Sequence, residues 1–339
     1  MNFFKLINLL LFVLTASAFS TSSILIDALV EALGGFTPFG IFISLLEAIP
    51  PEDIAEFASL ITNNITFGVP QSAPNGTVSN LLGNPSTILP LLSYHLIKSP
   101  VSNSSIPLSP THIIVSTALI ASLENNRSQV LVLTKDSNGT IHVLNQPSDV
   151  TLTPSSGITF AGNSYGWSSV SDLLVAPTTL SATLPSYNIT TFANDAVTSG
   201  ITDTLENLQG LTIFVPQDSA FSSAASTLSH LNSSELASVL SGHVINGTLY
   251  SPQLTSGQTT MNFAGQTLTV TGSNVSLTGG NTANILTSDV LLQNGVVHII
   301  DNVLMLDSLK SSAAISMSVG PWVTRVTVLA LGSYLVLAQ

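Results

Sequence analysis

The chain has 339 residues, no cysteine, 18 acidic and 6 basic side chains, and a formal charge of −12. The missing thiols exclude disulfides, cysteine nucleophiles and thiolate metal sites, and the scarcity of Lys and Arg excludes a nucleic-acid footprint and disfavours adsorption to anionic lipid. With 7% charged residues, the surface must be built from Ser, Thr, Asn and attached sugar.

In chain order, residues 1–18 carry Lys5, an apolar run and then Ala16-Ser17-Ala18. The run is too short to span a bilayer, and the pattern predicts a cleaved secretion signal. Beyond it lie two copies of one unit, expected over 19–180 and 188–310, with a linker at 181–187. GVPQSA at Gly68–Ala73 resembles FVPQDSA at Phe214–Ala220. NPSTILPLLSYHL from Asn84 then matches NSSELASVLSGHV from Asn232. In the second copy Asn232 is an N-cap and Glu235 completes a capping box. Leu236, Val239, Leu240 and His243 share one helical face. The first copy repeats the face with Ile88, Leu91, Leu92 and His95, but places Pro90 inside the helix, which predicts a shortened or kinked first turn.

The last match is GWSSVSDLLV from Gly166 against GVVHIIDNVL from Gly295. By this point the first copy is longer by about nineteen residues, with Ser122–Asp149 the candidate source. Between helix and final strand the pattern is β-rich. QVLVLTKDSNGTIHVLN reads as a hairpin around DSNG, and TMNFAGQTLTVTG with SNVSLTGG does the same in the second copy. The fold class is therefore α+β, twice.

Asn-x-Ser/Thr sequons begin at Asn64, Asn75, Asn103, Asn126, Asn138, Asn188, Asn232, Asn246 and Asn274, candidates for N-glycosylation in a secreted chain. Residues 311–339 place small residues, a spacer and an apolar tail in the order of a glycosylphosphatidylinositol attachment signal, with Ser312 as the attachment residue.

Candidate chemistry is sparse. VVHII, containing His298, reads as a strand buried on both faces, started by Gly295 where another chain segment comes close, with Asp301 accepting backbone hydrogen bonds. A His298–Asp301 catalytic pair lacks a nucleophile nearby in sequence. GNSYG, from Gly162, fits a nucleophile-elbow pattern that would make Ser164 a hydrolase serine, but the sequence after it reads as a strand rather than a helix. His95 and His243 read as core histidines. DSNG lacks the spaced acids of a calcium loop. No cofactor or metal is expected.

LTIFVPQDSAF (Leu211–Phe221), with Pro216, Asp218 and Phe221, and DVLLQNGVVHIIDNVLM (Asp289–Met305) resemble the two signatures of the fasciclin domain, and the helix ending at His243 falls where that family carries a Tyr-His element. The first copy keeps Tyr94-His95 but lacks the Asp and Phe of the first signature, and so resembles a divergent member. The resemblance implies two tandem domains, each an antiparallel β-sandwich or wedge with helices packed at one side. It also implies a non-enzymatic adhesion glycoprotein whose partners are cell-surface proteins or wall and matrix polysaccharide, a second copy of itself included, at the outer face of the plasma membrane or in the wall. Tyr94, His95, His243, Asp289 and Val290 match positions associated with receptor contact in animal relatives, but both elements are apolar enough to read mainly as core. An endomembrane or vacuolar role in membrane contact or fusion is the alternative.

Overall fold

The computed structural model describes residues 40–62, 64–154, 158–160, 163–254 and 257–309. The secretion signal, Ser312 and the 311–339 tail lie outside the described residues. The first unit contains α1 (Gly40–Glu47), α2 (Ile54–Leu60), β1 (Ile65–Pro70), α3 (Thr77–Leu82), α4 (Ile88–Tyr94), β2 (Leu96–Ile97), β3 (Ile113–Ile120), β4 (Ser128–Lys135), β5 (Ile141–Val143), β6 (Val150–Pro154), β7 (Ile158–Phe160) and β8 (Asn163–Val170). The second contains α5 (Leu180–Thr183), α6 (Thr191–Ser199), α7 (Thr202–Asn207), β9 (Leu211–Pro216), α8 (Asp218–Leu228), α9 (Ser233–Ser241), β10 (Val244–Asn246), β11 (Gln258–Met261), β12 (Thr267–Thr271), β13 (Asn274–Leu277), β14 (Thr282–Leu292) and β15 (Gly295–Ile300). The class is α+β.

In the first unit the strands run β1-β2-β3-β4-β5-β6-β8-β7, and β1 also pairs in parallel with β8, so the sheet closes on itself. In the second the order is β10-β9-β15-β14-β13-β12-β11, and a bridge between Ile245 and Asn262 brings its two ends together. Closure leaves few unpaired strand edges to recruit other chains. The repeat seen in sequence is a repeat of topology. The first strand of each unit ends at the proline of its Val-Pro-Gln corner, where Gln71 N–H donates to Val170 O at 2.8 Å and Gln217 N–H to Ile300 O at 3.0 Å.

Strand alternation gives each unit two cores. Along β9, Leu211, Ile213 and Val215 face the helices with Phe192, Leu240, Val297 and Ile299, whereas Phe214 points inside the curved sheet with Leu268, Val270, Val275 and Ile300. The first unit repeats this, with Ile65, Phe67 and Val69 against Ile88 and Leu92, and Leu131, Leu133, Ile141 and Leu152 inside. The run containing His298 is buried at every position of β15, as a two-faced strand requires.

Asn232 accepts from Ser234 N and Glu235 N, and Glu235 returns a bond to Asn232 N, which forms the expected capping box. Pro90 falls at the third position of α4, where a backbone N–H has no intrahelical acceptor to lose; a 3₁₀ turn at Pro85–Thr87 precedes a helix of seven residues against nine in α9. The extra length of the first unit lies largely in longer strands and turns: β3 and β4 have eight residues each, β11 and β12 four and five.

One expectation is corrected. Residues 181–187 are not an extended linker. They form most of α5 and a 3₁₀ turn, Leu184–Tyr187, and bury Leu184 in the second unit's helix-side core. Pro185 initiates the turn rather than breaking structure, and the Thr179 side chain caps α5 by accepting from Ala182 N at 3.3 Å. Ser164 sits within β8 in register with Thr159, in keeping with the strand reading of this stretch, so its backbone makes no strand-to-helix elbow.

Candidate interaction site at the junction of the two units

Tyr94, His95, His243, Asp289 and Val290 are all 0–1% exposed. A partner could not touch these side chains without opening the fold. The two histidines do the same job in each unit. His95 Nδ1 donates to Leu91 O at 2.9 Å, and its Nε2 accepts from Leu174 N at 3.1 Å. His243 Nδ1 donates to Val239 O at 2.8 Å, and its Nε2 accepts from Leu304 N at 2.8 Å. Each ring ties the end of a helix to the segment after the last strand. Using both nitrogens in this way requires a neutral imidazole, and burial pushes both pKa values down to about 4.

The signature residues are structural in the same sense. Pro216 ends β9. Asp218 accepts from Thr191 N at 3.0 Å and from the Thr190 hydroxyl at 2.8 Å, which anchors the start of α6. Phe221 meets Phe192 edge-on at 6.5 Å. Gly295 is required because a Cβ there would lie 2.2 Å from Leu211 O. Asp301 accepts from Asn284 N at 2.7 Å. His298 pairs with neither Asp301 nor any nucleophile: its Nε2 donates to Leu249 O at 2.9 Å, its Nδ1 accepts from Asp289 N at 3.3 Å, and it stacks on Phe214 at 5.6 Å.

A convergence of polar groups lies between the units. β4 turns Leu131 and Leu133 into its own unit and Val130 and Val132 outward, where they pack with Ile114 of β3 against Tyr250, Leu291 and Val296 of the second unit. Around this apolar patch, Gln129 Nε2 donates to Leu292 O at 2.9 Å. Glu124 accepts from the Thr248 hydroxyl at 2.7 Å, and Arg127 donates to Thr248 O at 3.2 Å. Asn145 Nδ2 donates to Asp289 O at 2.8 Å and is itself held by the Tyr187 hydroxyl at 2.7 Å. Gly210, at φ +69°, lets the second unit approach so closely that a Cβ would lie 2.1 Å from Glu124 Oε2.

At one end of this junction sits Asp289, fully buried, at φ +60°, beside a break in the register between β14 and β15. Its carboxylate accepts from Ser251 N at 2.8 Å, from the Ser251 hydroxyl, and from His112 Nε2 at 2.5 Å. Burial alone would raise its pKa; the bonds from His112 and from Ser251 outweigh it and hold the carboxyl below its usual range. The Asp289 bond in turn raises His112 against the effect of burial, and the Pro110 backbone adds to it.

A serine, a histidine and an aspartate therefore meet, but not as a catalytic triad. His112 Nε2 faces both Asp289 and Ser251 Oγ, the latter at 3.1 Å, and the serine hydroxyl donates to the same carboxylate. A triad needs the acid on one ring nitrogen and the nucleophile on the other. Here the serine's proton is already held by the acid, and no ring nitrogen is left facing it as a base. Among the described residues no group of three or more His, Asp or Glu is placed to hold a metal ion, and no helix is long and apolar enough to cross a membrane.

All nine sequon asparagines are exposed, whereas Asn262 and Asn294, which are outside sequons, are buried. Sequence reasoning missed His112, Gln129, Glu124 and Arg127. One signal was present: QVLVL is as continuously apolar as VVHII, the mark of a strand covered on both faces.

Residues 187–306 match the Fasciclin domain family. A fasciclin-like arabinogalactan protein of Cercospora beticola is 32% identical over 133 residues, covering 39% of this chain and 36% of that protein. A second, from Arthroderma benhamiae, is 24% identical over 55% of this chain and 38% of its own length. Immunogenic protein MPB70 of Mycobacterium bovis is 42% identical over 108 residues, 31% of this chain and 54% of that protein. The chain thus spans about a third to a half of these relatives. A FAS1 domain pair from the insect cell adhesion molecule Fasciclin I is similar over 79% of this chain and 97% of its own, with 15% identity and a TM-score of 0.34.

Proposed function

We propose that this chain is a non-enzymatic adhesion glycoprotein of the cell surface or wall, in which two fasciclin-like units, the first divergent, act as one glycan-bearing body. The observation that carries the reading is the Fasciclin match over residues 187–306. The exposed sequons fit it, as does a junction that spends its Ser, His and Asp on holding the units together. Binding is through weak contacts made strong by many copies on one membrane, to surface proteins, to wall or matrix polysaccharide, or to a second copy. The lipid anchor at Ser312 supplies the clustering.

The test is to tag the chain after Ser23, express it in its own host, and treat intact cells with phosphatidylinositol-specific phospholipase C. Label released from the surface, together with loss of cell–cell or cell–matrix attachment, supports the reading. Label held on an internal membrane overturns it in favour of a role in membrane contact within the cell.

A further inference from the structure

We propose that the contact between His112 and Asp289 is a proton-dependent latch, which holds the two units in one arrangement while His112 is protonated and releases them as it loses that proton. The geometry is specific. His112 precedes β3 in the first unit, Asp289 lies in β14 of the second, and their atoms meet at 2.5 Å with the histidine side chain 12% exposed and the aspartate 0%. A carboxylate buried this completely needs a counter-charge as well as hydrogen bonds. Ser251 supplies bonds without charge. His112 supplies both.

The other titratable groups around the contact do not replace it. His298 has both nitrogens engaged and is held neutral by burial. Tyr250 is raised by burial and stays neutral. Glu124 and Arg127, across the apolar patch, pair with each other at 2.5 Å. His112 is therefore the group here whose charge changes near neutral pH.

The sign follows from the direction of its shift. Docking raises the His112 pKa above 6.5, so the docked arrangement is favoured fully below that value and loses the favour as pH rises through the raised pKa. For each unit of that shift, the docking equilibrium falls about tenfold across the window. Neutral His112 can still donate to Asp289, but the buried carboxylate then has no cation against it.

The chain has no cysteine, so S79C and S223C, at exposed positions of α3 and α8, give a labelled pair in otherwise unaltered protein. The distance distribution between two spin labels is measured at about pH 6 and about pH 9, well to either side of the histidine range. We expect one narrow distance at the lower pH that broadens or moves at the higher. H112Q keeps a donor without a titrating charge. D289N keeps a residue type that tolerates positive φ. Each variant is expected to give one distribution at both pH values, whereas H142Q, which removes a half-buried histidine paired with Asp149 elsewhere in the first unit, leaves the wild-type response intact. A wild-type distribution that is the same at both pH values overturns the latch. So does a wild-type response that survives in H112Q.

Discussion

At the scale of single residues, the histidines divide into two kinds with opposite pH behaviour. His95 and His243 work as neutral cross-links, each with a donor and an acceptor nitrogen in use inside a closed core. Their folded pKa of about 4 lies below the unfolded value of 6.5. The unfolded chain therefore binds the proton first on acidification. The stability these rings contribute is complete above about pH 6.5 and is lost as pH falls toward 4, by on the order of 3 kcal/mol for each ring. Replacing His243 by Ala removes the acceptor for Leu304 N and leaves a void; we expect a cost of about 3 kcal/mol at neutral pH, read from urea unfolding of the second unit. The same variant should show a shallower loss of stability between pH 6.5 and 4. An unchanged slope would mean that His243 is not the titrating group. His112 runs the other way: its protonated form is the one the structure favours, so acid weakens the cores over a range in which it tightens the junction.

At the scale of elements, close approaches explain which positions tolerate no side chain. β15 begins beside the start of β9, and Gly295 is in register with Leu211. A Cβ there would strike the Leu211 carbonyl, which is main chain and cannot swing aside. Gly295→Ala should cost about 3 kcal/mol or more, visible as a lowered thermal midpoint of the second unit, whereas Gly265→Ala, in a turn with open space around it, should cost only the strain of its positive φ, about 1–2 kcal/mol. Gly295 was legible in sequence because the apolar run that follows it is continuous and a strand buried on both faces needs a neighbour on each. The helix at Asn232 was legible too, since a capping box and an i, i+3, i+4 stripe are local signals. The region around 181–187 was misread for a related reason. Two prolines and a lack of periodicity look like a linker, but a helix of four residues is too short to show a period, and a proline in a first turn starts a helix as readily as it ends one. The burial of Asp289 was legible from its apolar neighbours, but its partner was not. His112, which bonds to it, is 177 positions away, and no local pattern encodes which face of one unit meets the other.

At the scale of the whole molecule, the junction decides whether the chain behaves as two beads or one body. Its apolar centre is Val130, Val132 and Ile114 against Tyr250, Leu291 and Val296. Gln129 fixes the register across it, its side-chain Nε2 donating to Leu292 O while its side-chain Oε1 accepts from Val130 N at 3.0 Å. Units joined this way share a free energy that neither has alone, so unfolding one exposes the other's covered face and strands Gln129. We therefore expect a single calorimetric transition at about pH 6, inside the range in which the His112 contact also holds. Combining Gln129→Ala with Leu291→Thr removes the bridging amide and part of the apolar patch, yet leaves the residues of both helix-side cores in place. The loss at the junction is about 3–5 kcal/mol. The expected result is two separate transitions, because each unit keeps a closed sheet, helices and two cores of its own. Two independent transitions in the wild-type chain would show instead that the units are stable neighbours without mutual support. A single, merely lowered transition in the double variant would place the coupling in the α5 segment, whose Leu180 and Leu184 enter the second core directly from the first unit's end.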